Sequence, residues 1–170
     1  VLSGVNISGG SITCDGSVTM ILLGSNTVTA TSENAAIKIG GSGTTLTITG
    51  SGSLTAQGGL EAAGIGTDRI ENDELSFGNI VINGGTVTAT GGGYGPGIGT
   101  GVFLKYGSES ASNRCGNITI GAGVTSVTAT KGGSYSPNSI GKGYAYGGTQ
   151  NYGTITIGGT VYATGVTTSP

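Results

Sequence analysis

Three short blocks recur along this chain in a fixed order, and that internal repeat restricts the fold more than any other feature. The first block is an alternating apolar pair: Val5-Asn6-Ile7, Met20-Ile21-Leu22, Leu46-Thr47-Ile48, Ile80-Val81-Ile82, Ile118-Thr119-Ile120 and Ile155-Thr156-Ile157. The second is Val-Thr-Ala-Thr or a variant of it, as in Val28–Thr31, Leu54–Gln57, Val87–Thr90, Val127–Thr130 and Val161–Thr164. The third is an Ile-Gly step at Ile39, Ile65, Ile98 and Ile140. Leu22 to Ile48, Val28 to Leu54 and Ile39 to Ile65 are each 26 residues apart, so all three blocks share one register. Later spacings grow to 34, 38 and 37, with the extra residues in inserts at about 67–78, 100–116 and 142–153.

Three strands per repeat, with two-residue alternation and glycine at the corners, describe one circuit of a β-solenoid. Composition agrees: 38 Gly, 26 Thr and 18 Ser among 170 residues disfavour helices and suit short strands joined by tight turns. The expected fold is all-β, a single domain over residues 1–170: a parallel β-helix of five to six coils with inserts on one corner. Its hand is right by the crossover rule. An antiparallel sandwich also has short strands and glycine turns, but would not hold residues in fixed columns. Those columns are Ile7, Leu22, Ile48, Ile82, Ile120 and Ile157 on one wall, and Ile12, Val28, Leu54, Val87, Val127 and Val161 on a second. Ile39, Ile65, Ile98 and Ile140 form the third. An alanine column (Ala30, Ala56, Ala89, Ala129, Ala163) turns a corner, and Cys14 falls into it as a small buried apolar residue. Cys14 and Cys115 then lie about four coils, roughly 19 Å, apart, too far to pair. The stretch from Ile7 to Leu22 is short for a full circuit, which leaves the layout of the first coil open.

Cys115-Gly116-Asn117-Ile118-Thr119-Ile120, the run from Asn79 to Gly92 and the step Gly97-Ile98-Gly99 resemble a known family. They are similar to repeats of bacterial, often gut-associated, cell-surface proteins described as carbohydrate-binding or adhesin-like right-handed β-helix domains. The resemblance covers residues 17–164 and implies a non-catalytic, exported module at the bacterial cell surface, with polysaccharide or host glycan as its partner. It transfers no catalytic residue. The chain opens on Val1 with neither a signal peptide nor a sorting tail, and so reads as a piece of a longer exported protein.

With no histidine, imidazole general bases, Ser-His-Asp or Cys-His arrangements and His-ligated metals are excluded. A formal charge of −2, with six cations scattered singly, offers no footprint for nucleic acid. The longest apolar run, Met20–Leu23, is far too short to span a membrane. Glycoside hydrolysis needs two adjacent carboxyl groups, and a pectin-lyase-type site needs a base beside acidic calcium ligands; Asp15, Glu33 and Glu61 instead read as single turn residues, and Glu109 lies in an insert. Four of the eight acids, Asp68, Glu71, Asp73 and Glu74, fall in the first insert. With Asn72 they could supply oxygen ligands to Ca²⁺, although the spacing matches no calcium loop and a solvated loop balanced by Arg69 is the simpler reading.

All nine aromatic residues lie at or after Phe77. Tyr94 and Tyr135 occupy matching turns, Gly91–Pro96 and Gly132–Pro137, and should stack on adjacent coils. Tyr144, Tyr146 and Tyr152 crowd the last insert, Phe103 and Tyr106 the one before. Exposed rings can pack on the apolar face of a sugar, so Tyr94, Tyr135, Tyr144 and Tyr146 are the candidate glycan-contacting residues. Alternatively these rings anchor the inserts to the coils. A flat Thr ladder (Thr29/Thr31, Thr88/Thr90, Thr128/Thr130), of a kind also found in ice-binding solenoids, is interrupted by Gln57 and Tyr162 and is explained by strand propensity. A non-catalytic glycan-binding or adhesin module is thus expected first, a structural spacer second, an enzyme third and ice binding last.

Overall fold

The computed structural model describes residues 1–71, 75–106, 112–163 and 165. These form 22 short strands and no helix, and every pairing between strands is parallel. Two six-stranded sheets and one five-stranded sheet make the walls of a parallel β-helix, each inner strand bonded to its counterparts in the coils before and after and each end strand to one. The first wall holds Leu2–Ser3, Val18–Leu23, Thr45–Gly50, Asn79–Ile82, Ile118–Ile120 and Ile155–Ile157. The second holds Asn6–Ser8, Ser25–Thr29, Ser53–Gln57, Thr86–Thr90, Ser126–Thr130 and Val161–Ala163. The third holds Ile12–Thr13, Ile37–Lys38, Ile65–Gly66, Ile98–Thr100 and Ile140–Lys142.

Inward side chains form the expected columns through most of the molecule. Ile48, Ile82, Ile120 and Ile157 are in register on the first wall, Leu54, Val87, Val127 and Val161 on the second, and Ile65, Ile98 and Ile140 on the third. Most of these are fully buried, each contributing about 1.5–3 kcal/mol of apolar transfer free energy. Ile157, on the last strand of the first wall, is 41% exposed.

The second coil departs from the expected register by two residues. Met20 rather than Leu22 faces Ile48, Asn26 rather than Val28 faces Leu54, and Ile37 rather than Ile39 faces Ile65. The period there is 28, and a slip of two leaves every side chain on the same face, so alternation alone cannot tell 26 from 28. Backbone packing and a corner asparagine decide. Gly50, at φ 108°, lies so close over Leu22 that a Cβ would stand 2.3 Å from the Leu22 carbonyl oxygen. Asn26, 1% exposed, accepts from Val5 N–H and donates Nδ2 to the carbonyls of Leu23 and Ser53, clamping three successive coils.

The same shift rearranges the first coil. Ile7 pairs with Val28 on the second wall and Ile12 with Ile37 on the third, while Leu2 supplies the first wall opposite Leu22. The first circuit is complete because it begins at Leu2. Ile7 and then Val28 precede Ala56, Ala89, Ala129 and Ala163 in one column, in which Val28 takes the place expected of Ala30. Cys14 sits beyond Thr13 on the third wall, where its N–H donates to Lys38 carbonyl, and not in the alanine column. The outward ladder on the second wall is Thr27, Thr55, Thr88 and Thr128, ended by Tyr162, beside Thr29, Gln57, Thr90 and Thr130.

Both cysteines are free and buried. Burial raises the Cys14 thiol, helped by the charge of Asp15, and pushes Cys115 up to about 12. An unfolded thiol ionises near 9.0, so burial of Cys115 favours the folded state below that pH, and the contribution is lost as the pH climbs from 9.0 to about 12. A thiol reagent at pH 8 should therefore leave both cysteines unmodified in the folded chain and titrate both in denaturant; rapid labelling of Cys115 without denaturant would contradict its burial.

Candidate functional site

The inserts are not loose loops. Ile70–Glu71, Phe103–Leu104 and Ala145–Tyr146 pair in parallel, and Ser112–Cys115 pairs with Thr149–Tyr152, so the inserts stack coil upon coil beside the main helix. Phe103, fully buried, packs with Ile70 and Phe77 as a small second core, while Tyr152 joins the main core. Buried polar groups stitch lobe to coil. Thr100 Oγ1 donates to Gln150 Oε1 (3.0 Å), and Gln150 Nε2 donates to the carbonyls of Gly101 (2.6 Å) and Tyr144 (3.2 Å).

That stitching presents the tyrosines. The Tyr144 N–H donates to Tyr94 carbonyl (3.2 Å) and the Tyr144 carbonyl accepts from Phe103 N–H (3.0 Å), so its backbone is held from both sides. The matching turns stack as expected, with Gly132 N–H donating to Gly95 carbonyl and Lys131 Nζ bracing the later turn on Ser136 carbonyl (2.9 Å). Tyr94 consequently meets Tyr135 edge to face, centroids 5.3 Å apart, and Tyr144 at a tilt, 5.8 Å apart. Tyr146 does not join them. It pairs with Tyr106, 6.2 Å away, further along the lobe.

Glu61, Tyr94, Val102, Leu104, Tyr135 and Tyr144 line a groove of about 220 Å³. A second hollow of about 290 Å³ adjoins it across the shared rings of Tyr135 and Tyr144, and Lys142, Thr149 and Gln150 are among the residues lining it. Tyr135 is 68% exposed and Tyr144 37%, so their ring faces remain available beside apolar Val102 and Leu104. The aromatic residues thus divide: Phe77, Phe103 and Tyr152 pack the inserts against the coils, whereas Tyr106, Tyr135, Tyr144 and Tyr146 offer surface.

The acidic insert folds back onto the coils. Asp68 pairs with Lys38 (2.7 Å) and accepts from Ala35 N–H (2.7 Å). Glu71 pairs with Arg69, which also meets Glu33 and, through Nε at 3.2 Å, Glu61. Asp73 and Glu74 lie outside the described residues. Among the described residues, no three acidic or thiol side chains gather to hold a metal ion. Glu33 and Glu61, which the sequence presents as lone turn residues, are brought together around one guanidinium. Their spacing of 28, the same as Ile37 to Ile65, was the available signal. Glu61 sits in the left-handed region at φ 66°, and its carbonyl accepts from Val102 N–H (2.7 Å), so a strained residue forms one end of the groove. Comparison of the chain with family models, with curated proteins and with solved structures found no match, and fold alone does not name a function.

Proposed function

We propose that the chain is a non-catalytic, extracellular module of a bacterial cell surface that binds carbohydrate, as a glycan-binding or adhesin domain, with Tyr94, Tyr135 and Tyr144 as its contact residues. The observation that carries this reading is the convergence of these three rings, from two successive coils, on one partly apolar groove. Rings with a polar tip suit the face of a sugar, whose hydroxyls need hydrogen-bonding groups at its edge. Tyr146 and Tyr106 extend the aromatic surface along the same lobe.

A glycan array of the purified chain, followed by titration of the leading ligand, tests it. Tyr135→Ala and Tyr144→Ala should each weaken binding about ten-fold or more, the loss expected of an exposed aromatic anchor. Chelation of calcium should leave binding in place, because Asp68 and Glu71 already pair with cations. Unchanged affinity in both tyrosine variants would sink the reading. A silent array would favour a spacer, a role supported by the unbroken stacking of six coils along two walls.

A further inference from the structure

Charge is distributed unevenly along the solenoid. Residues 1–74 carry Lys38 and Arg69 against seven carboxylates, a formal −5, whereas residues 75–170 carry four cations against Glu109 alone, a formal +3. The tyrosine groove crosses that divide. At one end stands Glu61, beside an Arg69 shared with Glu33 and Glu71, so the local balance is negative. At the other end Lys142 lines the hollow beyond Tyr135 and Tyr144; its side chain is exposed, and no carboxylate among the described residues pairs with it.

Resting on the carbohydrate reading above, we infer that this groove selects an anionic glycan, with Lys142 as the specificity-determining residue. A sugar ring lies against Tyr135 and Tyr144 while its carboxylate or sulfate meets the Lys142 ammonium. An ammonium that no carboxylate among the described residues pairs with gains a charge-assisted contact to an anion without first giving up such a pair. The Glu61 end disfavours the same anion, so the ligand is oriented as well as selected; rejection by like charge is as much a part of specificity as attraction. Carboxylate and sulfate share this chemistry, and the choice of polymer separates them.

The test uses the whole chain in about 0.15 M salt, where exposed charges more than roughly 8 Å apart are screened and a diffuse field contributes little. The probes are hyaluronate, alginate and dextran sulfate, each uronate polymer paired with a carboxyl-reduced form. At least one anionic polymer should bind ten-fold or more tightly than its neutral counterpart, dextran serving as the counterpart of dextran sulfate. Lys142→Gln should weaken that binding about ten-fold and Lys142→Arg less than three-fold. Arg114→Gln removes the same charge from the same half of the chain but lies outside this groove, and should change binding less than two-fold. Preference for a uronate polymer assigns the carboxylate, preference for dextran sulfate the sulfate. Equal losses in Lys142→Gln and Arg114→Gln would reduce the effect to a diffuse field and overturn the inference. So would equal binding of charged and neutral forms, but if Tyr135→Ala still abolished that binding the carbohydrate reading would survive. Silence from every polymer overturns the inference, and the glycan array then decides the reading beneath it.

Discussion

Gly99→Ala should cost about 3–5 kcal/mol and unseat the coil that carries Tyr94. Gly66, Gly99 and Gly141 stand in register on the third wall with φ of 145°, 138° and 122°, a backbone shape that side-chain-bearing residues rarely adopt. A Cβ on Gly99 would lie 1.8 Å from the Gly141 carbonyl oxygen, and one on Gly66 equally close to that of Gly99. Backbone strain contributes about 1–3 kcal/mol and forced displacement of a neighbouring main chain a similar amount. Gly16→Ala, with nothing within 4 Å of the added carbon, is the control and should shift stability by less than about 0.5 kcal/mol. Urea unfolding followed by circular dichroism separates them, and a Gly99→Ala midpoint equal to that of the native chain would contradict the close stacking.

Phe103→Ala should cost about 3–4 kcal/mol, confined to the lobe. The ring is fully buried against Ile70 and Phe77, and an emptied aromatic site of this kind loses both transfer free energy and contacts. Because coils bond only to their neighbours and the lobe has its own small core, the damage should stay local. In amide exchange, Phe103–Leu104 and Ala145–Tyr146 should lose protection while Ile80–Ile82 and Ile118–Ile120 keep theirs. Tyr144, whose carbonyl is held by Phe103 N–H, should lose its place beside Tyr94, and glycan binding with it. Uniform loss of protection across both regions would show that lobe and coils unfold as one unit.

These two residues also show what the sequence reveals and what it hides. The Ile-Gly step is written plainly at Ile65, Ile98 and Ile140, because a column needing the same backbone shape in each coil selects the same residue. The isoleucine and valine columns from Ile48 onward are legible for a similar reason. Asn26 was not, since a polar residue in an apolar column makes sense only when the carbonyls and N–H around a corner are counted. The strands of the inserts share no motif. Ile70, Phe103 and Ala145 are paired by position, at unequal spacings of 33 and 42, so no periodicity announces them. Of the candidate site residues, Tyr94 and Tyr135 followed from matched turns and Tyr144 joins them, whereas the position of Tyr146 depended on those unseen strands. Glu61 joins the groove because its turn stacks on that of Tyr94, with Gly92 N–H donating to the Ala62 carbonyl and Val102 N–H to that of Glu61, contacts that no repeated motif announces.

The stacked inserts make the groove a measure of coil number. Its lining comes from three successive circuits, Glu61 on one, Tyr94 and Leu104 on the next, Tyr135, Tyr144 and Lys142 on the last, so it spans two coil spacings, about 10 Å. One more coil with an insert of the same kind would lengthen that span by a further ~4.8 Å without altering any contact already made. The length of polymer such a surface can grip is therefore set by counting repeats, and a lineage could adjust it by duplication without redesigning a pocket.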